Sequence, residues 1–296
     1  MLFRSLAIYD ICNDKIASLS EMCLIAGVPR SSYYKWLKRT DSRAEDEDRH
    51  ILEKIKMIHE EDPAKGYRRI RDDLERDYAI KANDKRILRL CRIGGIRSTI
   101  KYRDSGCTVN DKDPQHLAEN VLDRDFKAER PNEKWVTDVT EFKYYVHNEK
   151  YKLYLSAIMD LYDRRIVAYE IGDSNNNDLV YANFDKAVET EPDAHPIFHS
   201  DRGFQYTNMK FYDKLLDAGM TQSMSRVGKC LDNGPMEGFW GILKRERYYG
   251  NRFTDRDELA GMIEKYIRYY NFGRYQRKLG CVTPMEKHES YYMTAA

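Results

Sequence analysis

Hydrophobic positions recur with two different periods along the chain, and the period changes near residue 131. Upstream, apolar residues return every three or four positions, as in "SLSEMCLIAG" and "HILEKIKMIHEED", which predicts amphipathic helices. Downstream, "EKWVTDVTEFKYYV" and "KYKLYLSAIMDLYDRRIVAYEIG" are rich in β-branched and aromatic residues, as strands are. The pattern therefore predicts helical segments followed by an α/β domain.

Capping residues divide the upstream part into short helices. The first helix has a Ser cap and stops at Gly27, and Ser31 is predicted to cap "SYYKWLKR". Later, Gly66 opens "GYRRIRDDLERDY" and Asn83 caps a helix that ends at Gly94-Gly95. Two such units are typical of helix-turn-helix modules, in which one helix enters the major groove of DNA and nearby bases contact phosphates.

The downstream part predicts a sheet that begins with an antiparallel meander. Hairpin-like breaks at His147-Asn148 and Asp163-Arg164 separate three strands. "NNDLVYANFDKAVETE", "HPIFHSD", "TNMKFYDKLLDAGM", "TQSMSR" and "DNGPMEGFWGILKRE" then alternate helix, strand, helix, strand and helix, an α/β order. The predicted domains are a helix-turn-helix-like segment (1–40), a basic helical domain with a DNA-binding pattern (46–104), a linker (105–130), an α/β core (131–250) and a C-terminal helix and tail (251–296).

Charge is distributed unevenly, although the net charge is only +1. Residues 64–103 carry 13 Lys and Arg against five acidic residues, whereas residues 104–239 have a net charge of −9. Basic flanks around an acidic centre indicate a polyanionic partner and a cation-binding centre. A solvated helix face also produces a basic stretch, so charge alone does not decide.

Composition restricts the class of protein further. A third of the residues are charged and 42% are hydrophobic, which is typical of a globular protein. The sequence has neither an apolar run of membrane-spanning length nor a secretory pattern at its start, which predicts a cytosolic protein. The six cysteines form no CxxC pair and are predicted to be isolated thiols.

Three carboxylates fall at corresponding places in this layout. Asp138 lies in the first strand, Asp201 follows the strand "PIFHS", and Glu237 lies in the first turn of the last core helix. If the first and fourth strands are neighbours, Asp138 and Asp201 face each other, and Glu237 closes the site. Two Mg²⁺ ions held by such carboxylates activate attack on a phosphodiester. Carboxylates at strand ends are also common on ordinary surfaces, and His199 is equally explained as a side chain that fills a strand end.

Neighbouring residues suit a site of this kind. Gly203 lets the backbone pass close to a ligand. On the last core helix, Asn233 is a candidate cap and Pro235 suits the first turn. Helical spacing places an acid, an aromatic ring and a base on one face, as a helix laid along DNA requires: Glu237, Trp240, Gly241 and Lys244.

Four motifs together resemble a known family. "KWVTDVTEF", "HSDRGFQYTN", "DNGPMEGFWGILKRE" and "YNFGRYQRKLGCVTPMEK" are similar, in order and spacing, to the integrase-like half (OrfB) of the IS-three family of bacterial insertion-sequence transposases. The upstream segments "GVPRSSYYKWLKR" and "GYRRIRDDLERDYAIKANDKRILRLCRIGGIR" resemble that family's helical N-terminal segments. The similarity covers nearly the whole chain.

The resemblance implies a retroviral-integrase-like, RNase H-like mixed sheet with a DDE triad. The triad falls on Asp138, Asp201 and Glu237, with Lys244 as the phosphate-facing base. Two positions depart from the family pattern: Gly238 replaces the usual Ser, and Gln276 replaces the usual His. Neither change removes a metal ligand.

The expected activity is that of a Mg²⁺-dependent DDE transposase, with Mn²⁺ as a substitute. It would nick DNA at the terminal repeats of the element, and the freed 3′-hydroxyl would attack a second phosphodiester. The alternatives are a nuclease of the same core that cuts without joining, and a DNA-binding regulator or inactive half that performs no chemistry. A two-carboxylate glycosidase explains neither the basic helices nor Lys244.

Partners follow from the same interpretation. The chain is expected to bind DNA, to form at least a dimer, and to act at the bacterial nucleoid with an upstream OrfA half, supplied separately or by frameshift fusion. No membrane partner is expected. Besides Lys244 and Trp240, the predicted DNA contacts are basic residues of the second helical unit: Arg68, Arg69, Lys85, Arg86, Arg89 and Arg92.

Overall fold

The structure is a computed structural model that describes residues 2–13, 17–38, 43–100, 116–147, 149–226 and 230–295. Within these ranges, the α-helices are α1 Leu2–Asn13, α2 Leu19–Ala26, α3 Arg30–Leu37, α4 Arg43–Glu61, α5 Tyr67–Asp77, α6 Asp84–Ile93, α7 Asn177–Thr190, α8 Met209–Asp217, α9 Gly234–Leu243, α10 Arg256–Phe272 and α11 Pro284–Ala295. The strands are β1 Lys134–Val146, β2 Glu149–Asp160, β3 Ile166–Gly172, β4 Ile197–Ser200 and β5 Thr221–Met224. A π-helical turn, Lys244–Tyr248, continues α9.

The chain divides into two units, residues 1–57 and residues 58–296. In the first unit, α1 to α3 pack around four buried side chains: Ile8, Cys23, Val28 and Tyr33. The five-part division predicted from the sequence stays a prediction, and its linker falls partly on residues 101–115, which lie outside the described residues.

Most predicted caps are found, because capping depends on a few neighbouring residues. Ser18 and Glu21 form a capping box on α2, and Gly27 ends that helix at a φ of 61°, a conformation that favours glycine. Asn83 accepts a hydrogen bond from the backbone N–H of Arg86.

Two local predictions are wrong. Ser31 does not cap α3, because the helix already begins at Arg30, behind Pro29. The stretch "TDSRAEDEDR" lacks apolar periodicity, which predicts a linker, yet the chain is helical from Arg43 onward. Glu45 and Asp46 lie in the first turn of α4, where negative charges interact favourably with the helix dipole.

The sheet confirms the predicted order of elements. Its five strands lie in the order β3-β2-β1-β4-β5. β1, β2 and β3 form an antiparallel meander, whereas β4 runs parallel to β1 and β5 parallel to β4. The turn at Arg164 has a φ of 65°, and His147 also has a positive φ, while Asn148 lies outside the described residues.

Each face of the sheet is covered by helices, because successive side chains of a strand point to opposite faces. Trp135 packs on the side of α7 and α8, with Phe184 and Phe211. Val136 and Phe142 pack on the side of α9 and α10, in a cluster with Phe239 and Tyr266. Asp138 has the same parity as Val136, so it belongs to the face that α9 covers.

Two further expectations concern membranes and thiols. Across the described ranges, no helix combines the length and the apolar character that a bilayer crossing needs. Cys12, Cys23, Cys91 and Cys281, the four cysteines whose side chains are described, are free thiols.

Candidate active site

Strand register brings two of the three predicted carboxylates together. β1 and β4 are parallel, and Val136 is opposite His199. Two residues further along each strand, the same register leads to Asp138 on β1 and to Asp201 just past the end of β4. The sequence-based condition, that the first and fourth strands be neighbours, is therefore met.

Glu237 approaches from the helix that covers this face. It lies in the first turn of α9, with Pro235 before it, and its side chain is exposed. The predicted cap is wrong, since the Asn233 side chain makes no capping bond and donates through Nδ2 to the carbonyl oxygen of Thr137, 2.9 Å away. Asn233 thus fastens the start of α9 to β1, directly beside Asp138.

The pKa of Asp138 is raised above its ordinary value by burial and by the nearby acids. Burial raises this pKa to about 8, and repulsion from Asp201 and Glu237 adds to the rise. Burial also raises the pKa of Asp201. The ammonium group of Lys244 interacts with Asp138, but it does not offset the effects of burial and of the neighbouring acids.

Trp240 has a different place from the one predicted. Its ring is buried, with 6% of its surface exposed, and its Nε1 donates to Oδ2 of Asp138 at 2.9 Å. The backbone N–H of Val139 donates to the other carboxylate oxygen at 2.8 Å. A buried ring offers no face to a base, so the predicted stacking on DNA is corrected: Trp240 orients a carboxylate.

Lys244 lies on the same side of the helix, at the start of the π-helical turn. Its Nζ donates to Oγ1 of Thr140 at 2.6 Å and lies 5.0 Å from the centre of the Phe142 ring. Burial lowers its pKa. An ammonium group has three donors, so the bond to Thr140 does not exhaust those available to a phosphate.

The loop after β4 is shaped around Asp201. The backbone N–H of Gly203 donates to Oδ1 of Asp201 at 2.9 Å. A Cβ at this glycine would lie 3.0 Å from that oxygen and 3.0 Å from Oε1 of Gln205. Gly203 is therefore needed for the carboxylate itself, a closer role than the ligand approach predicted from sequence.

His199 is buried in β4, where its ring is held by hydrogen bonds. Its ring nitrogens lie 2.8 Å from Oγ of Ser223 and 3.1 Å from Oγ of Ser225. Burial lowers its pKa to about 4, so the ring is neutral at neutral pH.

Sequence reasoning missed Asp232, which is fully buried next to the start of α9. Its carboxylate accepts hydrogen bonds from Nε of Arg226 at 2.9 Å, Nε of Arg124 at 2.5 Å and Nδ2 of Asn120 at 3.1 Å. The guanidinium groups of Arg226 and Arg124 hold the pKa of Asp232 far below the usual range. The only sequence signal for a role of Asp232 is its position next to Asn233, because Arg124 and Asn120 are distant in sequence.

The three carboxylates do not form a closed metal cage. Among the described side chains, no three of His, Cys, Asp or Glu converge tightly enough to enclose one ion. The donors themselves suit a hard divalent cation, because carboxylate oxygens are its preferred ligands and three acids contribute negative charge here. The arrangement therefore fits metal held by subsets of the three, not by a closed cage.

The predicted DNA contacts in the second helical unit separate into two groups. Lys85, Arg89 and Arg92 are exposed at intervals of four and three residues, so they share one face of α6. Arg68 is exposed and Arg86 is half-buried. Arg69 faces inward, with 16% of its side chain exposed, and pairs with Glu246 at 3.0 Å, so its assignment to DNA is corrected.

The two departures from the family pattern leave the carboxylates in place. A Cβ at Gly238 would meet nothing within 4 Å. Gln276 precedes a short 3-10 turn, Arg277–Leu279, and bridges to Val282.

Comparison with known proteins agrees with this geometry. Residues 128–230 and residues 237–290 match two models of an integrase core domain, and residues 45–104 match an HTH-like domain. The strand order and these matches define a protein with an integrase core domain of RNase H-like topology, preceded by an HTH-like domain.

Individual relatives narrow the class to a family. The chain is 38% identical to InsK of Escherichia coli K12, named as a transposase of insertion sequence element IS150, over 93% of this chain and 95% of that one. It is 27% identical to the transposase InsF for insertion sequence IS3A of the same organism, over 89% and 91%. The chain belongs to the IS-three family of insertion-sequence transposases and corresponds to its integrase-like OrfB half.

A solved structure with the same kind of core is more distant. The HTLV-2 integrase catalytic core domain, in complex with magnesium, is 19% identical, covering 55% of this chain and 99% of that one, with a TM-score of 0.43. At this TM-score the likeness adds nothing to the assignment.

Proposed function

We propose that this transposase nicks DNA at the ends of its element and joins the freed strand to a second phosphodiester, using Asp138, Asp201 and Glu237. The observation that supports the proposal most directly is the parallel register of β1 and β4, which leads to Asp138 and Asp201 at one level. The raised pKa of Asp138 supports it further, because repulsion from Asp201 and Glu237 contributes to the rise.

A divalent cation, Mg²⁺ or Mn²⁺, is part of the proposal. Asp138 and Asp201 would hold one ion and Glu237 a second. When bound, such ions supply activation of the attacking oxygen and stabilisation of the leaving oxygen.

Residues of the chain orient the carboxylates and supply a positive charge near them. Trp240 and the Val139 N–H fix both oxygens of Asp138, and the Gly203 N–H fixes Asp201. Lys244 places a positive charge beside the carboxylates, where it suits a phosphate oxygen. In the joining step, the 3′-hydroxyl oxygen forms a bond to phosphorus, one P–O bond of the attacked strand breaks, and the proton of the hydroxyl is released as the leaving oxygen takes one up. No bond between protein and DNA forms.

DNA binding is assigned to the second helical unit. Lys85, Arg89 and Arg92 lie on one exposed face of α6, where they suit successive phosphates. Two element ends have to be held for joining, so the active form is proposed to be at least a dimer, with the OrfA half as its further partner and the bacterial nucleoid as its place of action.

A labelled duplex that carries the end of the element tests the proposal. Wild type, Asp201→Asn and a control, Asp213→Asn on the exposed side of α8, are incubated with Mg²⁺ or Mn²⁺, alone and fused to the OrfA half. We expect metal-dependent nicks and longer, joined strands from wild type and the control, and neither from Asp201→Asn.

Other outcomes separate the alternatives. Nicks without joined strands would support the nuclease, and binding without chemistry by both the chain and the fusion would support the inactive regulator. Activity of the fusion alone would mean that this half needs its partner.

A further inference from the structure

Ion pairs join the helical pair α5–α6 to the C-terminal part of the catalytic unit, and all of them lie within residues 58–296. Glu246 is the centre of the first group. Only 4% of its side chain is exposed, and it pairs with Arg69 of α5 at 3.0 Å and with Arg274 at 2.9 Å. The hydroxyl of Tyr266 donates to its second oxygen at 2.9 Å. Arg69 also donates to the hydroxyl of Tyr269, at 2.5 Å.

Arg277 forms a second connection, which we call the Arg277 bridge. Its Nε donates to Asp72 of α5 at 2.7 Å, and its two terminal nitrogens donate to the carboxylate of Asp84, each at 2.8 Å. One of these nitrogens also donates to the carbonyl oxygen of Arg68 at 2.9 Å. Asp84 is the first residue of α6, so one guanidinium holds both helices of the pair.

A continuous helical path leads from these contacts to the candidate active site. Glu246 lies in the π-helical turn Lys244–Tyr248, which follows α9 without a break, and α9 carries Glu237. At the other end, the Arg277 bridge holds the N-terminus of α6, whose exposed face carries Lys85, Arg89 and Arg92. The buried contacts of Glu246 and the half-exposed, multiply bonded Arg277 bridge join these elements, so the separation between this basic face and the carboxylates is fixed.

We infer that the Arg277 bridge and the Glu246 contacts set the cleavage register: they determine which phosphodiester, counted from the sequence gripped by α6, reaches Asp138, Asp201 and Glu237. This inference rests on the proposed function. It assigns a specificity-determining role to Arg277, Arg69 and Glu246, none of which needs to touch DNA.

The dimensions of DNA explain why a tight connection is needed. Successive nucleotides of one strand advance by only about 3.4 Å along the helix axis. A helical pair free to shift by that distance would present the neighbouring phosphodiester to the carboxylates. Bonds from one planar guanidinium to acids on two helices restrict such a shift, because their direction and their length are both defined.

The cut position is the measurement that distinguishes this role from plain stabilisation. An end-labelled duplex carrying the element end is nicked by wild type, Arg277→Gln and Lys278→Gln, in whichever form of the protein nicks it, and the products are resolved to single nucleotides. Lys278 is the neighbour of Arg277 and is exposed, so Lys278→Gln removes the same charge without breaking the bridge. Duplex affinity is measured in parallel.

We expect wild type and Lys278→Gln to cut at one bond. Arg277→Gln should bind the duplex within about threefold of wild type, since the residues that grip phosphates are unchanged. Its nicks should spread over neighbouring bonds, and the rate at the original bond should fall by about tenfold or more, because a displacement of about 1 Å is costly at a catalytic site. Asp84→Asn, which weakens the same bridge from α6, should show a milder spread.

Three results would overturn the inference, and each has a different meaning. If Arg277→Gln cuts only at the original bond, at whatever rate, the bridge stabilises the protein and does not set the register. If wild type binds the duplex and never nicks it, even when fused to the OrfA half, the proposed function fails and the register role fails with it. Hydrogen exchange of the amides in α5 and α6 gives a readout that does not depend on DNA cleavage. The exchange rate should rise in Arg277→Gln and not in Lys278→Gln. Equal exchange rates in the two variants would also contradict the inference.

Discussion

Asp138 of β1 and Glu246 of the π-helical turn are two carboxylates whose pKa values are shifted in opposite directions. Burial raises the pKa of Asp138 to about 8, with repulsion from Asp201 and Glu237 acting in the same direction. Glu246 is also buried, yet Arg274 and Arg69 bring its pKa below the ordinary value. Burial disfavours both charges, so the presence or absence of a guanidinium decides the outcome.

The two pKa shifts indicate different roles: Asp138 is suited to bind a ligand, whereas Glu246 stabilises the fold. Lys244 offsets the negative charge around Asp138 only in part, so an external cation gains by binding there. The charge of Glu246 is satisfied by the chain itself, and it fastens two parts of the catalytic unit together. Substitutions that remove each charge should therefore have opposite effects on stability.

The largest expected effect is on the reaction. Asp138→Asn should lower the nicking rate by about 1,000-fold or more, because the carboxylate that serves the metal is lost. The same change should raise the free energy of unfolding by about 1 kcal/mol, which is about 2–4 °C in Tm for a unit of this size. The reason is that a carboxylate opposed by burial and by neighbouring acids is replaced by a neutral amide. Nicking assays and thermal unfolding without metal check both, and a large drop in Tm would contradict the interpretation of Asp138.

Glu246→Gln should act in the opposite sense. It leaves Arg69 and Arg274 buried without their counter-charge, so we expect a loss of about 3 kcal/mol in the free energy of unfolding. Urea unfolding of the metal-free protein measures it. Glu141→Gln, which removes a half-exposed carboxylate paired with Lys152, should cost less than about 1 kcal/mol.

The pH dependence of that loss follows from the lowered pKa of Glu246. A depressed folded-state pKa contributes stability above the unfolded-state value, about 4.3, and this contribution disappears as the pH falls through the folded-state value. The difference between wild type and Glu246→Gln should thus be full at pH 6 to 7 and shrink below about pH 4. A difference that stays constant down to pH 3 would mean that the charge is not what stabilises.

Gly203→Ala tests how finely Asp201 is positioned. The new Cβ would press on Oδ1 of Asp201 at 3.0 Å, so we expect the nicking rate to fall by about 10- to 100-fold with little change in Tm. Gly238→Ala is the matched control, because its Cβ meets nothing within 4 Å. It should retain activity and stabilise α9 by about 0.5–1 kcal/mol. Equal activity in the two variants would show that the loop tolerates displacement of Asp201.

Trp240→Phe should have the smallest effect. It keeps most of the buried ring and removes the Nε1–H bond to Asp138, a change of about 1–2 kcal/mol or roughly tenfold in rate. The metal concentration for half-maximal activity should rise as well, since the carboxylate is less well oriented. Trp36→Phe, in the first unit, serves as the control. A Trp240 variant that lost activity through unfolding would show it in the Tm.

The sequence predicted the parts of the site that depend on local pattern. Strand and helix periodicity predicted the order of elements in the core and placed Asp138 in the first strand and Asp201 at the end of the fourth. Their role in a triad was implied by the family resemblance and stays a proposal. The placement of Trp240 and Asn233 could not be predicted, because helical spacing lists the residues of a face without saying which strand atom each will meet. Asp232 was missed for the same reason, since its partner Arg124 is 108 residues away.

What the amino-acid sequence determined by itself is whatever depends on a few neighbouring residues: the caps at Ser18 and Asn83, the turn at Gly27, the alternation along β1 and the basic face of α6. Tertiary structure alone decided which charges are compensated. Arg69 and Arg92 are equally basic in the sequence, but one reaches Tyr269, 200 residues away, and the other faces solvent. The physical reason is that Coulombic and hydrogen-bond energies depend on distance in space and on burial, and folding fixes both only when the distant segments have packed.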